Sequence, residues 1–173
     1  MSVNVSAERG TAKRAVGEAE LREAHGVVGD AHAGAGERQV SLLAWESVEA
    51  QLARMRAEGV ACPKTRALAG AAAGTAGGSS DPCRLGPGDY AENLTLRGVD
   101  LKSVAVGDRI EFETGALLEV TRIGKECHRH CAVFERLGDC VMPREGVFAK
   151  VLRGGLVRPG HAVTVRAAQG DRG

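Results

Sequence analysis

The clearest periodic signal along the chain is helical. Val48, Leu52 and Met55 recur at i, i+4 and i+7, with Glu and Arg on the opposite face. That spacing predicts an amphipathic helix from Trp45 to Glu58, stopped by Gly59. Elsewhere the period is two. Leu117 to Ile123, LLEVTRI, is the strongest strand signal. Val106 to Phe112 predicts a turn and then a strand, with Ile110 and Phe112 inward and Arg109 and Glu111 outward. The turn Val157-Arg-Pro-Gly-His161 repeats that device ahead of Val163 and Val165, which alternate with Thr164 and Arg166. Arg38 to Leu43 (RQVSLL) and Val147 to Leu152 also read as strands, and Tyr90 to Thr95 leads into a short extended segment. Val3 to Val5 begins another strand, and the polar run behind it reads as loop. Gly86-Pro-Gly-Asp89 is a turn by composition.

Short strands at regular spacing with glycine turns predict a mainly β protein. The expected form is a closed or nearly closed β-barrel of mostly antiparallel strands with one or two peripheral helices. Glycine at 24 of 173 residues and aromatics at 3% agree with a turn-rich β architecture. The length suits a single domain over residues 1–173. One stretch breaks the pattern. Residues 66–84 are rich in Gly and Ala, offer no periodic face, and read as a flexible insert flanked by Cys62 and Cys83.

A net charge of +1 gives no electrostatic case for nucleic-acid binding. The first residues carry no apolar core of a secretory signal. No run approaches the roughly 20 apolar residues of a membrane helix. The expectation is a cytoplasmic protein in which thiols stay reduced. Clustered cysteines then point to catalysis or metal rather than disulfides. They are clustered between Gly124 and Gly155, where Cys127, Cys131 and Cys140 stand with His128, His130, Lys125, Arg129, Arg136 and Arg144. Thiols set among cations are poised to ionise, and the thiolate is the reactive and metal-binding form. Gly29-Asp30-Ala31-His32 is a second candidate, since glycines beside Asp and His permit close approach to a ligand. The bland readings are an ordinary turn for Asp30 and a buried apolar role for Cys140. Zinc on Cys127, Cys131 and one histidine is a third possibility, requiring a fourth ligand from elsewhere in the chain.

Taken in order, GVVGDAHAGAGERQVSLL, GDYAENLTLRGVDL, VGDRIEF, LLEVTRIGKECHRHCAVF and GDCVMPREGVFAKVLRGGLVRPGHAV resemble a stand-alone MOSC domain, named for the C-terminal part of molybdenum-cofactor sulfurases. The resemblance spans nearly the whole chain outside the Gly/Ala insert. It implies a β-barrel that binds a molybdopterin-type cofactor, with a signature cysteine that ligates molybdenum or carries sulfur as a persulfide. Cys127 holds that place by its distance from LLEVTRI. Cys131, followed by Ala-Val-Phe, resembles the pattern of the amidoxime-reducing branch. Arg38, Lys125, Arg129 and Arg144 become candidates for the cofactor's phosphate, with Asp30, His32 and His128 beside it and Glu92 and Asn93 for the pterin edge. Two roles follow from the resemblance. One is cofactor sulfuration, transfer or insertion, with a molybdoenzyme or cofactor-assembly enzyme as partner. The other is reduction of N-hydroxylated compounds with a flavin or iron–sulfur reductase as electron donor. Nothing in these residues resembles the pyridoxal-phosphate domain of the sulfurases, so the expectation is that they do not draw sulfur from free cysteine alone. His161 stands at a turn position where the family usually has Asp.

Overall fold

The computed structural model describes residues 1–58, 85–127, 134 and 139–168. The Gly/Ala insert, Cys62, Cys83, His128, Arg129, His130, Cys131 and Arg136 lie outside them. The described residues include eleven strands and two helices: β1 Ser2–Val5, β2 Arg14–Val16, β3 Ala19–Arg22, β4 Gly26–Val27, β5 Val40–Ala44, α1 Trp45–Ala57, β6 Leu94–Leu96, β7 Arg109–Phe112, β8 Leu117–Ile123, α2 Met142–Glu145, β9 Val147–Arg153, β10 Gly155–Val157 and β11 Val163–Arg166. The mainly β class is as expected. The polar run after Val5, expected as loop, instead forms β2 and β3, and β4 follows in the glycine-dense stretch after His25.

An eight-stranded sheet runs β11-β7-β8-β9-β5-β6-β1-β2, and a three-stranded sheet runs β10-β3-β4. The hydrogen-bonded sheet is open, so full barrel closure is not reached. The physical reason lies at its ends. After β9 the chain passes Gly154 into β10, which pairs with β3 in the small sheet rather than extending the large one. β2 is three residues long and mostly exposed, and it ends the large sheet at its far edge. All pairings are antiparallel except β5 with β6, which run parallel, Leu42 opposite Leu94 and Ala44 opposite Leu96.

β5 organises the packing because it is buried along its whole length. Alternate side chains leave a strand on opposite faces. Val40, Leu42 and Ala44 enter the main core with Val3, Leu94, Ile110, Phe112, Leu118, Val147 and Val151. Leu43 enters a second cluster with Val48 and Leu52 of α1, Tyr90, Cys140, Met142 and Phe148. The helical stripe is as the periodicity predicted: Val48, Leu52 and Met55 are all buried. β8 spans the predicted residues, Leu118 and Val120 inward. Asp139 fastens the second cluster from outside. Arg144 forks both guanidinium nitrogens onto it at 3.0 Å, and Arg54 of α1 reaches it at 2.7 Å.

Candidate functional site

A cavity of about 450 Å³ opens over the α1-bearing face of β5 and β9, a volume typical of small-molecule sites. Ser41, Tyr90, Asn93, Cys140, Met142 and Phe148 line its interior, and Arg9, His32, Arg38 and Lys125 join them from the loops. Ser41 is there because it is the odd residue of β5, opposite in sense to Leu42. Arg38 is carried just ahead of β5 on a loop whose Glu37 carbonyl accepts a hydrogen bond from Thr121 Oγ1. Thr121 falls in an irregular step of the β8–β9 ladder, and such bulges re-aim side chains.

The interior is polar by construction. Asn93 Oδ1 accepts from the Ser41 hydroxyl at 2.9 Å and from the Ser41 backbone N–H at 3.1 Å. Its amide donates to the Asn4 carbonyl at 3.3 Å. Tyr90 is buried and donates its hydroxyl to Gln51 Oε1 at 3.2 Å. Burial, followed by the neighbouring Cys140 and Asp139, pushes its phenol well above the ordinary range. Tyr90 therefore serves as a neutral wall.

The loop carrying His32 rests on a buried ion pair. Asp30 Oδ2 accepts from Lys13 Nζ at 2.5 Å and from the Ser6 N–H at 3.1 Å. Asp30 Oδ1 accepts from the His32 N–H at 3.0 Å and lies 3.3 Å from His32 Nδ1. Burial alone would raise the Asp30 pKa. The bonds from His32, Lys13 and the two backbone N–H groups outweigh it and hold the carboxyl well below the usual range. Lys13 is lowered by burial, with Asp30 and then Glu92 opposing. Glu92 is itself buried beside the cavity rather than on its wall. It accepts from the Gly88 N–H at 2.6 Å, the Tyr90 N–H at 3.2 Å and the Thr95 hydroxyl at 2.5 Å. Burial raises its pKa against those bonds. The Gly88 carbonyl accepts from the Lys13 N–H at 2.8 Å. A Cβ at Gly88 would meet the Lys13 carbonyl oxygen at 2.2 Å, so only glycine fits there.

Of the residues singled out in the sequence, the structure brings His32, Arg38, Asn93 and Lys125 to one cavity. Asp30 and Glu92 lie behind its walls. Arg144 faces Asp139 instead. Cys127 is exposed, two residues beyond Lys125, and does not line the cavity. His128, Arg129 and Cys131 lie outside the described residues. Cys140, read as apolar filler, is buried in the second cluster and also lines the cavity. Among the described residues no group of three or more His, Cys, Asp or Glu could hold a metal ion, and no helix is long and apolar enough to cross a membrane. Lys13, Arg9 and Ser41 carried no sequence signal, since only the fold brings them to this loop and floor.

The fold is shared with solved structures. The YuaD protein from Bacillus subtilis superposes with a TM-score of 0.67 at 18% identity, covering 97% of this chain and 94% of that one. YiiM from Escherichia coli gives 0.60 at 18% identity, covering 99% and 72%. YiiM from Geobacillus stearothermophilus gives 0.59 at 16%, covering 95% and 73%. At such identities the likeness speaks for the fold. No curated protein matches the sequence. The family model of the MOSC domain matches residues 29–164, from the His32 loop into β11, and the chain belongs to the MOSC domain family.

Proposed function

We propose that this chain binds a molybdopterin-type cofactor in the cavity and serves in its sulfuration, transfer or insertion. The MOSC family is associated with molybdenum-cofactor-binding proteins. The observation that carries the reading is the lining itself. Three cations (Arg9, Arg38 and Lys125) meet over a floor of Ser41 and Asn93, which suits an organic ligand ending in a phosphate. The residues present fit the group. Arg38 and Arg9 offer the forked donors that match phosphate oxygens, and Lys125 adds a point charge. Asn93 keeps Ser41 in place, and Tyr90 with Phe148 excludes water from one side. When bound, the cofactor supplies a molybdenum centre, for which a soft thiolate is a suitable ligand. Cys127 or Cys131 is the proposed thiolate donor, as Cys127 follows two residues after Lys125, which lines the cavity.

Reduction of N-hydroxylated compounds with a supplied electron-transfer partner is the competing role of the same site. A zinc- or thiol-based module without molybdenum is the reading of another class. We place the protein in the cytoplasm on this reading, where the thiols stay reduced.

The test is metal and pterin content of protein made in a host that synthesises the cofactor, for the wild type and for Cys127→Ser, Cys131→Ser and Cys140→Ser. Molybdenum with pterin, lost in one variant, supports the proposal and identifies the ligand. Zinc without pterin, or neither, sinks it. Turnover of an N-hydroxylated base with a chemical electron donor then separates enzyme from carrier.

A further inference from the structure

We propose that Lys13, Asp30 and His32 form a positioning relay that turns His32 Nδ1 inward and leaves Nε2 as the proton-exchanging atom for an oxyanion held in the cavity. The inference rests on the cavity being the ligand site proposed above.

The geometry argues for it atom by atom. The His32 side chain is 39% exposed while those of Lys13 and Asp30 are 1% and 0% exposed. The relay thus runs from the interior to the cavity, and only its last member reaches a ligand. His32 Nδ1 lies 3.3 Å from a carboxylate oxygen and 3.4 Å from the Lys13 ammonium. A neutral imidazole has one donor and one acceptor nitrogen. Were Nδ1 the acceptor, it would take only the longer contact, from a Lys13 N–H at 3.4 Å, and would set its lone pair against the nearer Asp30 oxygen, two acceptors in contact. As a donor, it bonds that oxygen, and Lys13 keeps its much closer acceptor, Asp30 Oδ2 at 2.5 Å. The carboxylate thus selects the Nδ1–H form. A carboxylate behind the ring fixes an imidazole in this way in metal and catalytic sites.

Lys13 has a distinct duty: its ammonium bonds Asp30 Oδ2 and supplies the counter-charge beside which Asp30 Oδ1 remains free to accept from the ring. The groups facing the ring are Lys13 and Asp30 from behind and Arg9, Arg38, Glu37 and Lys125 around the cavity. Three of the four cavity groups are cations, so the ligand atom they admit is an anionic oxygen. A phosphate monoester or another protonated oxyanion would give its proton to the bare Nε2 and take it back from the imidazolium so formed.

The experiment is long-range proton–nitrogen NMR on the full chain with nitrogen-15 histidine, using inorganic phosphate as the probe. His32 should show the Nδ1–H form, and phosphate should shift its Nε2 signal more than its Nδ1 signal. Asp30→Asn should shift the tautomer toward the ordinary mixture. His32→Asn retains a donor near the Nδ1 position but lacks Nε2. It should keep the wild-type melting temperature and bind phosphate about tenfold more weakly, the loss of one charged hydrogen bond. An Nε2–H tautomer in the wild type overturns the inference, whether or not Asp30→Asn folds. So does an Nε2 signal indifferent to phosphate, or wild-type phosphate affinity in His32→Asn. If molybdenum and pterin are absent while these results hold, the relay stands and only the identity of the ligand falls.

Discussion

The two faces of β5 are built on opposite principles. On one, Val40, Leu42 and Ala44 meet a core of Val, Ile, Leu and Phe. On the other, Leu43 joins the smaller apolar cluster while Ser41 begins a polar layer that passes through Asn93 to Asn4 and Thr95, with Glu92, Asp30 and Lys13 buried alongside. The apolar face tolerates exchange of one aliphatic residue for another of similar volume. The polar layer tolerates far less, because a buried donor or acceptor that loses its partner is costly. Shape is set by the first face and the cavity by the second.

The sharpest way to break the comparison is Lys13→Met. It leaves the Asp30 carboxylate buried without its cation and should cost about 4 kcal/mol, read from denaturant midpoints. Leu42→Ala attacks the apolar face and should cost about 3 kcal/mol. Its folded fraction should bind phosphate as the wild type does, whereas Lys13→Met should lose that binding as well.

Acid titration separates the two buried carboxylates. Asp30 has a depressed folded pKa, so its contribution is full above about pH 4 and drains away as pH falls below that value. Glu92 is raised, so the folded form holds its proton longer than the unfolded chain does. Its contribution therefore declines as pH rises above about 4, toward the raised folded value. Replacing Glu92 by Gln should remove that decline while leaving the acid limb of Asp30 in place. A variant whose stability curve keeps both limbs would show that Glu92 is not the group responsible. The smallest structural effect is expected of Arg38→Gln at the exposed rim. Stability should move by no more than about 0.5 kcal/mol, while phosphate affinity falls severalfold.

The same contrast explains what could be read from the sequence. β8 and α1 were legible because their signal is apolar periodicity, and seven or thirteen residues are enough to display it. β2, β3 and β4 were not, being two to four residues long, the first two set in a polar run and the third among glycines. Ala19 and Leu21 do alternate inward against Glu20 and Arg22, but four residues make a weak pattern. At the site, GDAHAG and RQVSLL pointed to His32 and Arg38. Lys13 gave no hint, since its meaning depends on Asp30 seventeen positions away and on a buried setting. Cys140 looked apolar from its neighbours Val141 and Met142, and it is packed with them. Its second role as a cavity wall arises only once the segment bearing α2 lies against β5.

Asn93 also has a bearing on when the protein becomes competent. It binds residue 41 across 52 positions and residue 4 across 89, and the cavity is completed by Phe148 of β9. Contacts of such separation form late, after local structure. A chain still emerging from the ribosome with β9 unmade has no cavity wall and nothing to retain a ligand. Loading is therefore an event of the finished protein, and a bound ligand would stabilise only that finished state.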